Sequence, residues 1–338
     1  MGIASTSIHK EIYLAGGCFW GTEAFLKRLP GVISTEVGYA NGDPLIKSPS
    51  YRAVCTGTTG YAETVHLIYD PREISLALII QAYLCSIDPT SVNRQGGDLG
   101  PQYRTGIFWT DEQDKAVIEA QMYQLQRQLD IKHKGKVAIE VQPLHAFWPA
   151  EDYHQDYLDV NPGGYCHVNL NGAEAFVQAH AQDFAILAQN YNKPDEETLK
   201  ANLDDLAFEV TQHAYTERPF SSPLDHEFKP GIYVDRTTGE PLFSSTDKFD
   251  SGCGWPAFSK PIATSVIQEY GDPSLPGRFR TEVKSARGNA HLGHVFHDGP
   301  TELGGERYCI NGAALEFIPL ADMDARGYGY LKSLVERQ

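Results

Sequence analysis

The 338-residue chain is long enough for two domains of ordinary size. Its formal net charge of −16 argues against a nucleic-acid partner or an anionic membrane surface, and the absence of any apolar run of about 18 residues argues against a membrane-spanning helix. The N-terminal segment Met1–Lys10 lacks the basic and apolar regions of a signal peptide, so we expect a cytoplasmic protein.

The first half of the chain predicts alternating strands and helices. A turn at Gly16-Gly17 follows the first strand, and Pro30-Gly31 ends the first helix. This mixed order predicts an α+β fold, with helices packed on a mixed sheet in two layers. The predicted elements are a strand at Glu11–Ala15, a helix at Phe19–Leu29, a strand at Tyr61–Tyr69, helices at Leu76–Ser86 and about Asp111–Leu129, and a strand at Val137–Val141.

The pattern changes near Pro194, which breaks a helical, charged stretch. We therefore expect domains at residues 1–190 and 200–338, joined by a linker at 191–199. Short strands between glycine and proline turns predict a mainly antiparallel second domain, with two small sheets or a barrel-like arrangement. Its predicted strands are Gly231–Val234, Thr264–Tyr270, Arg278–Val283, His291–Phe296 and Tyr308–Pro319.

The chain contains six cysteines and no Cys-x-x-Cys pair, so the usual zinc-ligand spacing is missing. Permanent disulfides are not expected in a cytoplasmic chain of this size. Each thiol is therefore either reactive or an inert part of the core. Cys85 lies in an apolar helical stretch and is expected to be buried, and neither it nor Cys55 has a predicted role.

Cys18 is the first candidate reactive thiol, in the sequence Gly-Gly-Cys-Phe-Trp-Gly between a predicted strand and a predicted helix. The N-terminus of a helix stabilises an anion, so this position is expected to lower the pKa of the thiol. Phe19 and Trp20 are candidates for an apolar pocket beside the sulfur. Simple packing of the cysteine and both rings in the core is the alternative.

Glu63 stands between apolar neighbours on one face of a predicted strand. Burial would raise its pKa and make it a proton donor, whereas an exposed carboxylate on an edge strand is the alternative. A polar, glycine-rich loop at residues 93–104 holds Asp98 and Tyr103. Loops of this kind often carry function but are also often plain surface.

Residues 8–170 contain four motifs in order: Gly-Cys-Phe-Trp-Gly, Tyr-Ala-Glu, Asn-Arg-Gln-Gly-Gly-Asp and Phe-Trp-Pro-Ala-Glu-Asp-Tyr-His-Gln-Asp-Tyr-Leu. This segment closely resembles the A-type methionine sulfoxide reductases, which act on the S epimer. The resemblance implies Cys18 as nucleophile, Glu63 as proton donor to the sulfoxide oxygen and Cys166 as resolving thiol. It also implies a substrate-binding set, with Tyr51 and Tyr103 at the oxygen, Asp98 in the surrounding network, and Phe19 and Trp20 at the methyl group.

Cys309 is the second candidate thiol, on a predicted strand whose alternation places Arg307 and Asn311 on the same face. A neighbouring guanidinium is expected to favour the thiolate. His291 and His294 would face opposite sides of a regular strand, but a bulge at Gly293 could bring both rings to one site. Plain core or surface histidines, or a zinc site without a recognised ligand spacing, are the alternatives.

Residues 200–335 resemble the B-type methionine sulfoxide reductases, which act on the R epimer. Four motifs carry the resemblance: Gly-Glu-Pro-Leu-Phe at 239–243, Gly-Cys-Gly-Trp-Pro at 252–256, His-Leu-Gly-His-Val-Phe at 291–296 and Arg-Tyr-Cys-Ile-Asn at 307–311. The resemblance implies Cys309 as nucleophile and Cys253 as resolving thiol. The implied substrate-contacting residues are Trp255 and Phe296, with His291, His294, Arg307 and Asn311 to orient and protonate the substrate.

The second segment departs from its family at the structural zinc. Many B-type enzymes hold zinc on two Cys-x-x-Cys pairs, and the matching positions here are Asp235 with Thr238 and Ser285 with Gly288. No thiol remains at these four positions, so we predict a zinc-free domain without a metal or other cofactor.

The two resemblances imply one chemistry. A thiol attacks the sulfoxide and is converted to a sulfenic acid, and a second thiol then forms a disulfide with it within the same domain. The implied substrates are oxidised proteins or free methionine sulfoxide, and the implied partner is a thioredoxin-type reductant. A metal-dependent hydrolase built on the second domain's histidines, and a non-catalytic peptide-binding module with inert thiols, are the alternative functions.

Overall fold

A computed structural model describes residues 9–275 and 278–336. The expectation about Met1–Lys10 falls largely on residues 1–8, outside this description. The chain divides into two compact units between Ala188 and Gln189, and helix Glu196–Asn202 overlaps the predicted linker. Within the described ranges, no helix has the length and apolarity needed to cross a membrane.

The first unit alternates strands and helices. Its strands are β1 Lys10–Gly16, β2 Val32–Ala40, β3 Ala62–Tyr69, β4 Arg94–Gln95, β5 Asp98–Leu99, β6 Thr105–Trp109, β7 Glu140–Pro143 and β8 Phe147–Pro149. Its helices are α1 Phe19–Leu26, α2 Tyr51–Val54, α3 Leu76–Ser86, α4 Glu112–Ile131, α5 Tyr157–Val160, α6 Asn171–Ala179 and α7 Ala181–Leu187.

One mixed sheet organises the described part of this unit, in the strand order β7-β6-β1-β3-β2-β8. Its pairings are antiparallel except between β6 and β7, which run parallel. Apolar residues of β1 and β3 pack with α1 and α3 in one core that includes Leu14, Val65 and Ile79. The predicted α+β fold is confirmed, and β3, which carries Glu63, is an interior strand of the sheet.

The second unit is built mainly from short strands. Its strands are β9 Gly231–Asp235, β10 Pro241–Ser244, β11 Lys248–Phe249, β12 Ala257–Phe258, β13 Ile267–Leu275, β14 Arg278–Ser285, β15 His291–Phe296, β16 Arg307–Ile310 and β17 Leu315–Pro319. Its helices are α8 Glu196–Asn202, α9 Asp205–His213 and α10 Lys332–Val335.

These strands form two antiparallel sheets in the described residues, β10-β9-β17 and β11-β12-β16-β15-β14-β13. The mainly antiparallel prediction is therefore confirmed. The single strand predicted at Tyr308–Pro319 is wrong, because a 3₁₀ turn at Gly312–Ala314 sends β16 and β17 to different sheets. Phe243 of the first sheet stacks on Phe258 of the second, with ring centroids 4.3 Å apart.

A bulge in β15 brings the two site histidines together. His291 pairs with Lys284 and Gly293 pairs with Val283, so Leu292 is the extra residue. The rings of His291 and His294 then lie 5.6 Å apart. The predicted bulge is confirmed. Gly293 also permits a close approach of β16, because a Cβ there would lie 2.2 Å from the Cys309 carbonyl oxygen.

The close approach at Gly293 predicts the effect of adding one methyl group. We expect Gly293→Ala to destabilise the second unit by about 1–3 kcal/mol, because the backbone of β16 must move away. Gly163→Ala is the control, since a Cβ there meets nothing within 4 Å. Urea unfolding measures both, and equal stabilities for the two variants would contradict the close packing of β15 on β16.

Candidate active sites

Cys18 lies between β1 and α1 and forms the N-cap of that helix. The amide groups of Trp20 and Gly21 donate hydrogen bonds to its sulfur, as expected at a helix N-terminus. The side chain is nevertheless buried, and burial, together with the nearby Glu63 carboxyl group, raises the pKa of the thiol. The expectation of a lowered pKa is therefore wrong, because desolvation outweighs the two amides.

Glu63 is the buried acid of this site. Its side chain is 1% exposed, and one carboxyl oxygen accepts a hydrogen bond from the Phe19 amide at 3.1 Å. Burial raises its pKa from about 4.5 to about 8. Of the two alternatives for Glu63, the structure shows the buried one, so Glu63 holds a proton at neutral pH next to Cys18.

Tyr51, Tyr103 and Asp98 lie within electrostatic range of the same carboxyl group. Burial raises the pKa of both tyrosines, and Glu63 raises it further once it ionises above pH 8. Asp98 accepts a hydrogen bond from the Tyr165 hydroxyl at 3.0 Å. Its charge also acts on Cys18 and Glu63. The structure thus brings together hydroxyl donors that sequence separates by about fifty residues.

The two aromatic candidates differ in exposure. Phe19 is buried, whereas Trp20 is partly buried and stacks on Tyr157 with ring centroids 3.8 Å apart. The Trp20 indole donates a hydrogen bond to Nδ1 of His154 at 3.2 Å. The His154 ring also lies 5.2 Å from Phe19 and 4.5 Å from Tyr51. His154 and Tyr157 were not predicted as site residues, although both lie in the last motif of the first segment.

Cys166 lies beside the first turn of α1. Its thiol donates to the Val168 carbonyl at 3.1 Å, and a Cβ on Gly21 would lie 3.1 Å from its sulfur. Cys166 is partly buried. It therefore sits next to the helix whose N-terminus holds Cys18, and its role as resolving thiol stays a prediction.

In the second unit, the sulfur atoms of Cys253 and Cys309 lie 3.4 Å apart. The hydrogen bond between the thiols lowers the pKa of Cys253, and the same bond raises the pKa of Cys309, which keeps its proton. Ser251 donates a second hydrogen bond to Cys253 at 2.9 Å. The expectation that Cys309 rests as the thiolate is therefore wrong in this pair.

Arg307 faces the thiol pair but is held by its own partners. Its guanidinium donates two hydrogen bonds to Asp298, each 2.8 Å long, and lies 4.5 Å from the ring of Phe296. Its charge does act to lower the pKa of Cys309, but the Cys253 sulfur outweighs it. Arg307 therefore supplies positive potential beside the sulfurs from a fixed position.

The histidine pair is paired with carboxylates. Nδ1 of His291 lies 2.6 Å from Glu282, and Nε2 of His294 lies 2.9 Å from Asp272. Burial lowers the pKa of His294. The buried Nε2 of His291 has no hydrogen-bond partner in the described structure. Since His294 pairs with Cys309 across β15 and β16, the pair lies beside the candidate nucleophile.

Asn311 and Trp255 both form hydrogen bonds to the backbone of Glu217, which precedes the first strand of the second unit. The Asn311 side chain accepts from the Glu217 amide at 3.0 Å and donates to the Leu292 carbonyl at 3.0 Å. The Trp255 indole donates to the Glu217 carbonyl at 3.2 Å. Asn311 is buried, and its side-chain amide is hydrogen-bonded to backbone groups. Its contacts therefore stabilise the fold around the site.

The four positions that match the zinc ligands converge around Asp235, whose side chain is fully buried. A Cβ on Gly288 would lie 2.5 Å from its carboxyl group and 2.8 Å from the Ser285 hydroxyl. Thr237 donates to Asp235 from its amide and its hydroxyl, each at 2.7 Å. One carboxyl group with hydroxyl partners in a closely packed space does not fit tetrahedral zinc. No group of three metal-ligating side chains occurs in the described residues.

The two remaining cysteines are exposed. The prediction that Cys85 is buried is wrong, because it lies on the outer face of α3 while Ala82 and Tyr83 face the core. Cys55 follows α2, and its amide donates to the Tyr51 carbonyl at 2.9 Å, which places it at the edge of the first site.

Two cysteine sites, each with its own titratable neighbours, define the chain as a thiol-dependent oxidoreductase. A family model described as peptide methionine sulfoxide reductase matches residues 10–184, and one described as SelR domain matches residues 203–319. The chain belongs to the peptide methionine sulfoxide reductase family, with an A-type unit followed by a B-type unit, as its motifs predict.

Solved structures resemble the first unit. Methionine sulfoxide reductase A of Corynebacterium diphtheriae is 34% identical, with 48% of this chain and 80% of that chain covered and a TM-score of 0.45. Reduced Mxr1 from Saccharomyces cerevisiae is 37% identical, with 48% and 91% covered and a TM-score of 0.44. Mxr1 in complex with Trx2 is 23% identical, with 46% and 90% covered and a TM-score of 0.31.

Because Glu63 is buried with its proton, we predict that its replacement raises the stability of the chain at high pH and lowers its activity. The pKa of Glu63 is about 8 in the folded chain and near 4.5 when exposed, so stability falls as pH rises from 4.5 to 8. We expect Glu63→Gln to be more stable than wild type at pH 8, with the difference vanishing near pH 4. We also expect it to lose about 10²–10⁴-fold in sulfoxide reduction by the first unit. Urea titrations at both pH values test this, and a variant less stable at pH 8 would contradict the buried, protonated carboxyl group.

Proposed function

We propose that the first unit reduces methionine S-sulfoxide and the second reduces methionine R-sulfoxide, each through a sulfenic acid and a disulfide within the unit. The observation that carries the proposal is that each unit holds a cysteine beside its own candidate proton source. Cys18 lies next to the protonated Glu63, and Cys309 lies beside the histidine pair and 3.4 Å from a second thiol.

In the first unit, the Cys18 sulfur attacks the sulfoxide sulfur while Glu63 gives its proton to the oxygen. The thiol proton replaces the one that Glu63 has lost. The hydroxyl group then moves from the substrate sulfur to the Cys18 sulfur as the bond between the two sulfurs breaks, which leaves a sulfenic acid on Cys18 and releases methionine. The hydroxyls of Tyr51 and Tyr103 can donate to the oxygen, since the raised pKa of each keeps it protonated. Phe19 and Trp20 hold the methyl group, and this orients the stereocentre.

In the second unit, Cys309 takes the role of nucleophile, and its thiol proton passes through the histidine pair to the sulfoxide oxygen. The hydroxyl group then moves from the substrate sulfur to the Cys309 sulfur as methionine leaves. The neighbouring Cys253 thiol then condenses with the Cys309 sulfenic acid, which releases water and forms a disulfide. The separation of 3.4 Å requires only a small movement to reach the S–S bond length of about 2.05 Å. Trp255 and Phe296 line the pocket for the substrate methyl group.

A dithiol reductant of the thioredoxin type would reset each disulfide by thiol–disulfide exchange. Cys166 is the proposed resolving thiol of the first unit, beside the first turn of α1. The substrates are methionine sulfoxide residues of oxidised proteins or the free amino acid. A cytoplasmic location fits the six free thiols, and the polar packing around Asp235 supports a second unit that works without zinc.

The two units give separable activities. We expect Cys18→Ser to abolish reduction of the S epimer only, and Cys309→Ser to abolish reduction of the R epimer only, because each nucleophile has its own proton source. An assay of both variants on resolved epimers is the test, and the untouched activity of each variant is its folding control. Loss of both activities in either single variant would rule out independent sites.

The role of Cys253 predicts a block after the first turnover. We expect Cys253→Ser to form about one methionine per chain from the R epimer and then stop, because the sulfenic acid on Cys309 has no thiol partner. Methionine is counted with and without a thioredoxin system, and Cys85→Ser serves as the control because Cys85 is exposed and outside both sites. Undiminished multiple turnover would remove the resolving role.

A further inference from the structure

Glu217 is buried between the two segments that carry Cys253 and Cys309. It lies in a strap, residues 214–222, that follows α9, and its side chain is 3% exposed. Its carboxylate accepts hydrogen bonds from the amides of Gly312 at 2.5 Å and Ala313 at 2.9 Å. These amides belong to the turn that directly follows the strand of Cys309, so the carboxylate fixes the end of β16.

The main chain of Glu217 reaches two further parts of the site. Its carbonyl accepts from the indole of Trp255, two residues after Cys253. Its amide donates to Asn311, and Asn311 in turn donates to Leu292, the bulge residue between the site histidines. One strap residue thus contacts the Cys253 loop and the turn after Cys309, and reaches the histidine bulge through Asn311.

The rest of the strap packs closely on the same two segments. The Phe220 amide donates to the Gly254 carbonyl at 2.7 Å, and a Cβ on Gly254 would lie 2.9 Å from Pro219. A Cβ on Gly312 would lie 1.9 Å from the Ser222 hydroxyl. A shift of the strap would therefore move the Cys253 loop and the turn after Cys309 relative to each other.

We propose that Glu217 is a positioning residue of the second unit, which sets the approach of Cys253 to Cys309. The inference rests on the proposed function and concerns its second step, in which the Cys253 thiol attacks the sulfur of the Cys309 sulfenic acid. The S–O bond breaks, the oxygen leaves as water with the thiol proton, and the S–S bond forms. This step needs both sulfurs at bonding distance, whereas attack on the sulfoxide needs only Cys309 and the histidine pair.

Glu217→Gln tests this division of roles. The amide cannot accept from both backbone N–H groups, since its own NH₂ group is a donor, so the turn after Cys309 loosens. In a single turnover with the R epimer and no reductant, we expect methionine to form at close to the wild-type rate. The rate of disulfide formation, measured as the loss of the free Cys253 thiol, should fall by about 10-fold or more. Sulfenic acid should then accumulate and be trapped by a 1,3-dione.

Two internal controls accompany the variant. Glu209→Gln removes an exposed carboxylate from α9 of the same unit and should form the disulfide at the wild-type rate. Reduction of the S epimer by the same chain should not change. If Glu217→Gln leaves the second unit unfolded, Glu217→Asp replaces it, because its carboxylate keeps the charge but ends one methylene group short of the two amides.

A folded variant, Glu217→Gln or its replacement Glu217→Asp, that forms the disulfide as fast as wild type would overturn the positioning role. Equal slowing of methionine formation and disulfide formation would also overturn it, because the effect would then be general. Failure of the proposed function is distinct, since the wild-type chain itself would then leave the R epimer unreduced.

Discussion

Removal of water from the reacting groups is the constraint on which the first site depends. In water Glu63 would be ionised at neutral pH and could not give a proton to a sulfoxide oxygen. Placed on an interior strand and 1% exposed, it keeps its proton up to a pH of about 8. The same burial raises the pKa of Cys18, so the site holds both groups in their neutral forms at neutral pH.

The second site meets the same chemical need in another way. Two hydrogen-bonded sulfurs lie 3.4 Å apart, and a guanidinium fixed by Asp298 provides positive potential beside them. The histidines of β15 are held by Glu282 on β14 and Asp272 on β13, so their rings are oriented before any substrate binds. The first site thus relies on one buried acid at a helix N-terminus. The second relies on a thiol pair and ion pairs across an antiparallel sheet.

Sequence reasoning succeeded where a local pattern determined the structure. Alternation along a strand indicated the buried face of Glu63, and the spacing His-Leu-Gly-His required a bulge to unite two rings. It failed where the outcome depended on distant partners. Burial of Cys18 follows from the packing of the whole unit, and the resting proton of Cys309 follows from Cys253, fifty-six residues earlier. Glu217 was not predicted, because the partners of its side chain and of its amide lie more than ninety residues away.

Which cysteines each epimer oxidises is the most direct test of two independent thiol sites. The wild-type chain would receive one equivalent of a single resolved epimer without reductant, and mass spectrometry would locate the oxidised cysteines. The account predicts oxidation of Cys18, with its partner thiol, by the S epimer, and a bond between Cys253 and Cys309 after the R epimer. Oxidation of the same cysteines by both epimers, or of none of these residues, would contradict it.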